Sequence, residues 1–256
     1  MKLGEMFGMA RSLVMYYGPV WRRRRMANFY RQFLGPGELG FDVGAHVGNR
    51  VGCWLGLGAR VVAIEPQPRF HRLLQRLYGR HAGVTLLLCG LSDHRGEAEL
   101  LVSSRTPTLS TFAEDWTEHV QTHDRRFAGS RWDQRTRVEL ETLDSLIERY
   151  GEPAFCKVDV EGFEENVLRG LSRPIRAMSF EFIPVARDRA SRCVDLISQL
   201  GDYRFRWSPV ETMQWATSEW LTGDQMKAEL ERMPDLGGSG DVYAVRRDAV
   251  TSLPLL

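Results

Sequence analysis

Two short segments of the sequence concentrate residue types that do chemistry. The first is Phe41-Asp42-Val43-Gly44-Ala45-His46-Val47-Gly48-Asn49, which has the form acid-x-Gly-x-x-x-Gly. Glycines at such a turn let the backbone bend sharply and let a ligand approach without a Cβ in the way. A dinucleotide site would need glycine where His46 stands, and a P-loop would need Gly-Lys-Ser/Thr, which is absent. Asp42 would repel a pyrophosphate at short range and attract an ammonium or a sulfonium. S-adenosylmethionine carries both, and its carboxylate could use the amides of a helix N-terminus. Glu65, followed by Pro66, stands 23 residues after Asp42. At the end of a second strand such an acid can accept both ribose hydroxyls. In Cys89-Gly90-Leu91-Ser92-Asp93, Leu91 can pack on an adenine ring, and Ser92 or a nearby amide can reach its edge. The cofactor-binding set expected is Asp42, Gly44, Ala45, His46, Gly48, Asn49, Glu65, Pro66, Leu91, Ser92 and Asp159.

The second segment is Lys157-Val158-Asp159-Val160-Glu161-Gly162-Phe163-Glu164. Asp159 and Glu161 stand where a fourth strand would end, facing the reacting end of a ligand held at the first turn. Three roles are open to them. One could be the general base for an acceptor hydroxyl or amine. The pair could hold a divalent metal with Glu181 as a third oxygen donor. They could orient loops or pair with Lys157. Base chemistry ranks first and a metal last, so the expected site has no metal, with Asp159, Glu161 and Glu181 as the ligands if one binds. His46 is a further candidate base and more readily a positioning residue. Glu164 would sit in the first turn of a helix, where an acid favours the dipole, and reads as structural.

These residues need a frame, and the hydrophobic pattern supplies one. Apolar runs at 39–43, 61–64 and 84–88 read as strands, 61–64 as one buried on both faces, with helices near 47–57 and 70–78 between them. That βαβαβ order predicts a parallel sheet with right-handed crossovers. Strands at 97–102 and 136–141 flank a polar segment with Trp116 and Trp132, read as an insertion that covers a site. Trp116, Trp132, His119 and His123 would suit an aromatic-lined polar cleft. Thr142 caps a helix carrying Leu143, Leu146, Ile147 and Tyr150. Further strands are expected at 154–158, 176–183, 203–207 and 241–245, with helices around 163–171 and 193–200. Residues 1–34 read as two helices broken at Gly18-Pro19 and stopped by Gly35-Pro36-Gly37.

The chain has 256 residues with 34 Lys plus Arg and 33 Asp plus Glu, a formal net charge of +1. That balance excludes a strongly basic nucleic-acid binder and, with 43% hydrophobic residues, a disordered chain. No run of about 18 apolar residues is present, so no transmembrane helix is expected. Arg22 to Arg25 follow the apolar N-terminal residues rather than precede them, which is the wrong order for an export signal. The expectation is a cytoplasmic protein with four reduced cysteines, Cys53, Cys89, Cys156 and Cys193. The arginine run reads first as a solvated helix face, with weak membrane-surface contact as its alternative.

The strings FDVGAHVGN, AIEPQPR, GLSD, VELETLDSL and KVDVEGFEENVLRGL, in that order, resemble the FkbM-type methyltransferases. The resemblance runs from about Leu39 to about Glu181. It implies a Rossmann-like class I methyltransferase: an α/β fold with a mostly parallel seven-stranded sheet and helices on both faces. To this the sequence adds a helical N-terminal extension (1–36) and an insertion at about 95–140 within a methyltransferase domain spanning 37–256. It implies S-adenosylmethionine as cofactor, S-adenosylhomocysteine as product, and often methyl transfer to oxygen in natural-product or glycan pathways. By similarity Asp42, Gly44 and Gly48 would line the methionine end, Glu65 would hold the ribose, and Asp159 and Glu161 would border the transfer site. His46 stands where the family usually has Asn.

The expected partner is a small-molecule, glycan or peptide acceptor, with no nucleic acid, and the chain a monomer or homodimer. N-methylation of a peptide or amino sugar is the alternative reaction. An NAD(P)-dependent oxidoreductase shares the acid after strand two, but His46 and Asp42 speak against it. A non-catalytic binding module would not need the Asp159/Glu161 edge.

Overall fold

A computed structural model of the chain describes residues 20–250, apart from 105, 211, 236 and 237. The earlier of the two expected N-terminal helices lies outside the described residues. The later one is α1 (Val20–Tyr30), which buries Met26, Phe29 and Tyr30 and leaves Arg22, Arg23 and Arg24 exposed. Just beyond α1, the ring of Phe33 stacks on Phe155 at 4.7 Å and on Tyr243 at 5.5 Å. The segment read as an extension therefore supplies part of the main core.

The expected βαβαβ run is present as β1 (Leu39–Val43), α2 (Asn49–Gly56), β2 (Arg60–Ile64), α3 (Pro68–Tyr78) and β3 (Val84–Leu87). All five residues of β1 and the last four of β2 are buried, as strands covered on both faces require. Pro68 opens α3, where its missing N–H costs nothing.

The chain then leaves the main sheet. Gly90 and Leu91, just after the third strand, form β4 (Gly90–Leu91), which pairs with β6 (Gln134–Glu141). β6 also pairs antiparallel with β5 (Gly96–Val102), giving a separate three-stranded sheet. Packing explains the departure: a Cβ at Gly90 would press on the Phe112 ring and Leu140, both from the insertion side. Between β5 and β6 lies α4 (Glu114–His123), where Trp116 and Val120 pack with Phe127 and Ile183.

The alternation resumes with α5 (Leu143–Tyr150), β7 (Phe155–Val158), α6 (Glu164–Arg169), β8 (Ala177–Phe182) and α7 (Arg187–Leu200). Thr142 caps α5 as expected, its side chain accepting from the Ser145 N–H at 3.1 Å. The last elements are β9 (Tyr203–Pro209), α8 (Gly223–Glu231), β10 (Gly240–Arg246) and the short α9 (Arg247–Val250).

The main sheet has seven strands in the order β3-β2-β1-β7-β8-β10-β9. β10 runs antiparallel to both neighbours and the other pairings are parallel. Helices α1, α2 and α3 share a core with one face of the sheet, and α5 to α8 with the other. The chain moves outward from β1 to β3 on one side and returns at β7 on the other, so β1 and β7 meet at a topological switch point. Register fixes what meets there. Val43 pairs with Ile64 on β2 and with Val158 on β7. Gly44, Glu65 and Asp159, the residues that follow, thus emerge level at one edge. Among the described residues no helix is long and apolar enough to cross a membrane.

Candidate active site

The turn after β1 is held in shape by its neighbours. Gly44, His46 and Gly48 have φ of 85°, 48° and 79°. At Gly44 a Cβ would run into the Asp159 carbonyl, so only glycine lets β1 leave the sheet this close to β7. The Gly44 and Ala45 amides donate to the Ile64 carbonyl at 2.9 and 3.0 Å. A Cβ at Gly48 would meet Leu74 and Tyr78, and the Tyr78 hydroxyl donates to the Gly48 carbonyl at 3.0 Å. Helix α3 thereby clamps the start of α2.

Two acids end β1 and β2. Glu65 is buried, and its oxygens accept from the His46 amide and the Gln67 amide, both at 2.8 Å. Burial pushes its pKa up to about 7 against those two hydrogen bonds. Each oxygen keeps a lone pair for a further donor. Asp42 is 2% exposed, and its Oδ2 has no hydrogen-bond partner among the described residues. Burial pushes Asp42 up to about 6, although Arg50 and Lys157 pull the other way. The Asn49 amide nitrogen is likewise buried without a partner. Burial lowers His46 to about 4, so its ring, packed 4.1 Å from Phe70, is neutral at physiological pH.

The β7 edge holds charges of both signs. Lys157 is fully buried, its Nζ 2.6 Å from Asp241 Oδ1 and 3.2 Å from Asp159 Oδ2. Arg50 adds a second cation 3.8 Å from Asp159, and its Nε donates to the Tyr30 hydroxyl at 3.2 Å. Burial alone would raise Asp159; Lys157 and Arg50 overcome it and hold the carboxyl at about 2. Glu161 and Glu181 behave oppositely. Burial, reinforced by the charge on Asp159, pushes both well above the ordinary glutamate range. Oxygens of Asp159, Glu161 and Glu181 lie within 4.8 Å of one another. Glu161 has φ 55°, a left-handed conformation unusual for a side-chain-bearing residue. Glu164 ties the turn together by accepting from the Val160 and Gly162 amides at 3.1 Å each.

Between these edges lies a cavity of about 740 Å³. Gly44, His46, Asn49, Glu65, Pro66, Leu91, Asp159 and Glu161 line it. Asp42, Ala45 and Gly48, also expected at the cofactor, are not among the lining residues. Ser92 is not among the lining residues either, and its hydroxyl donates to Asp93 at 3.0 Å. Arg50, Gln67 and Cys89 line the cavity without having been expected there, as do Leu100, Thr108, Ser110 and Phe112 from the insertion. A second cavity, of about 340 Å³, adjoins Glu161 and is bounded by Glu164, Glu181, Trp116 and Phe182.

The insertion's aromatic and histidine side chains do less at the site than expected. Trp116 is 1% exposed and packs under Gly162, where a Cβ would strike its indole. Trp132 donates to the Leu109 carbonyl at 2.6 Å. His119 contacts the Val185 carbonyl at 2.7 Å, and His123 stacks on His119. His119 holds the insertion onto the β8–α7 side, Trp132 and His123 bond within the insertion, and Trp116 borders the second cavity. Arg189 strengthens that attachment by donating to the Gly162 carbonyl at 2.9 Å and pairing with Asp115.

Comparison with known proteins agrees with this architecture. The Methyltransferase FkbM domain matches residues 42–207. The methyltransferase sdnD of Sordaria araneosa is 32% identical over 136 residues, which cover 44% of this chain and 51% of that protein. The hexuronic acid methyltransferase AglP of Haloferax volcanii is 28% identical over 187 residues, covering 69% of this chain and 70% of that one. A crystal structure of an FkbM methyltransferase from Methylobacillus flagellatus superposes with a TM-score of 0.48 at 16% identity, over 85% of this chain and 50% of that chain. The chain thus spans about half the length of sdnD and of the Methylobacillus protein. With the domain match covering well over half of its residues, the chain belongs to the FkbM methyltransferase family.

Proposed function

We propose that the protein is an S-adenosylmethionine-dependent methyltransferase that methylates a hydroxyl of a small molecule or glycan. The observation that carries this reading is Asp42: a buried carboxylate with an oxygen left without a partner, on β1 next to Val43 and Gly44, which line a cavity of about 740 Å³. Burying such a group is costly unless a donor or a cation joins it. The ammonium and sulfonium of S-adenosylmethionine fit that requirement. Asp42 with the 44–48 turn would hold the methionine end, Glu65 the ribose diol, and Leu91 the apolar ring. When bound, the cofactor supplies an electrophilic methyl group.

The chain's own task is then to align the acceptor and take its proton. Asp159, held at about 2, is a weak base and serves as a fixed anion. His46, lowered to about 4, is also a weak base and suits a positioning role. Glu161, whose proton affinity is raised and which borders both cavities, is the better matched acceptor of a hydroxyl proton. Glu181, beside it, can share that proton. The name of AglP supports a sugar acid as one acceptor to try. The crowding of Asp159, Glu161 and Glu181 favours a second reading, an amine acceptor held as a cation before it loses its proton.

The test is methyl transfer from labelled S-adenosylmethionine to a panel of neutral sugars, uronic acids, amino sugars and hydroxylated small molecules. Labelled product from a hydroxyl acceptor, lost in Glu161→Gln, supports the reading. Transfer that survives in Glu161→Gln removes Glu161 from the role, and labelling of amines alone replaces the oxygen reading with the nitrogen one.

A further inference from the structure

The layer formed by α1, α2 and α3 carries a charge asymmetry that methyl transfer does not use. Residues 20–81 contain eleven arginines, no lysine and three acids, a formal charge of +8 in a chain whose total is +1. Two of the acids, Asp42 and Glu65, are buried at the site. The third, Glu38, is bridged to Arg176 at 2.6 Å. The remainder of the chain is correspondingly acidic.

The arginines share one side of the molecule. Helices α1 and α3 flank α2: Tyr30 of α1 meets Trp54 of α2 at 5.4 Å, and Tyr78 of α3 bonds to the Gly48 carbonyl at 3.0 Å. Arg23 and Arg24 on α1, Arg31 just after it, Arg60 at the start of β2, and Arg72 and Arg76 on α3 with Arg80 beyond are exposed. Leu77, one of few large apolar side chains left in water at 48% exposure, stands among the α3 arginines. Clustered arginines around an exposed aliphatic side chain suit an interface that is anionic at its surface and apolar beneath.

We infer that this face docks the protein on an anionic lipid bilayer. A nucleic acid would use the charge but not the exposed aliphatic Leu77, which a bilayer would bury. The cavity opens at the carboxyl edge of the sheet rather than on this face, so docking leaves it accessible to an acceptor. The inference stands whether or not the cofactor assignment does.

Sedimentation of the full chain with phosphatidylcholine vesicles, with and without phosphatidylserine, tests it. The expected result is retention on the anionic vesicles at low salt, release at high salt, and little retention on phosphatidylcholine alone. Arg72→Glu/Arg76→Glu/Arg80→Glu should weaken partitioning by at least about tenfold while leaving the circular dichroism spectrum and domain-level activity unchanged. Arg23→Glu/Arg24→Glu, on a separate helix, should weaken it in the same sense. Failure to bind anionic vesicles, equal binding to neutral ones, or full binding by both variants would overturn the inference. So would retention on double-stranded DNA without retention on vesicles.

Discussion

The Lys157 ammonium lies 3.2 Å from Asp159 Oδ2, with no solvent around the lysine. This pair divides the labour among the carboxylates at the β7 edge. Asp159 is kept ionised by the cation beneath it, and its charge in turn raises Glu161 and Glu181. One acid is thereby held as an anion while its neighbours hold their protons more tightly. Environments that push neighbouring acids apart in this way are what acid–base chemistry requires.

Substitutions at the two positions should therefore fail differently. Glu161→Gln should lower kcat by about 100-fold or more with little effect on cofactor affinity. Asp159→Asn should weaken cofactor binding as well, because it changes the balance around Lys157 and Arg50. Steady-state kinetics with calorimetry separates the two; equal loss of kcat and affinity in both variants would contradict the division.

Lys157→Met should be severely destabilising. It leaves Asp241 buried with its cation gone and Asp159 with Arg50 alone at 3.8 Å, and breaking such a buried pair costs about 3–5 kcal/mol. Denaturant unfolding measures the loss. Lys157→Met/Asp241→Leu should recover part of it, since removing both partners is less costly than removing one.

Asp42 and Glu65 give the pH dependence a definite sign. Their folded pKa values, about 6 and about 7, lie above those of an unfolded chain. The folded state holds these protons more tightly, so their contribution to stability is full below pH ~4 and is lost as pH rises through 6 to 7. Asp159, depressed to about 2, acts oppositely and weakens the fold only in strong acid. The ligand-free protein should melt a few degrees lower at pH 7.5 than at pH 5.5. A cation bound against Asp42 should favour its ionised form. Cofactor binding near pH 6 should then release a proton, visible as a dependence of calorimetric heat on buffer ionisation enthalpy.

Gly44→Ala should abolish cofactor binding and destabilise the domain by about 1–3 kcal/mol. Two effects combine there: the backbone has φ 85°, and the added methyl meets the Asp159 carbonyl. Gly96→Ala, where a Cβ has room and φ is ordinary, should be close to neutral in the same thermal-shift assay.

Much of this site was legible in the sequence because its acids terminate uninterrupted apolar runs. Asp42, Glu65 and Asp159 stand at or just past strand ends whose register the parallel sheet equalises. What escaped depends on distance along the chain or on weak local signals. Lys157 and Asp241 are 84 residues apart, and β8 separates their strands in the sheet. Arg50 sits in the first turn of a helix, where an arginine reads as solvated until burial beside Tyr30 and Asp159 is seen. The two-residue β4 is too short for any periodicity, and its partner β6 comes over 40 residues later. Helix α8 was missed although Thr222 and Gln225 form a capping box, a signal readable as Thr-x-x-Gln. Trp116 and Trp132 looked like cleft walls because composition alone does not distinguish a binding surface from the small core of an insertion.

The most direct measurement is calorimetric titration of the full chain with S-adenosylmethionine and S-adenosylhomocysteine, repeated for Asp42→Asn and Glu65→Gln. The account predicts saturable binding of both ligands. Each substitution should weaken binding by about 10- to 100-fold, with Asp42→Asn costing more for the cationic S-adenosylmethionine than for its neutral-sulfur product. No binding of either ligand by the wild type, or unchanged affinity in both variants, would contradict it.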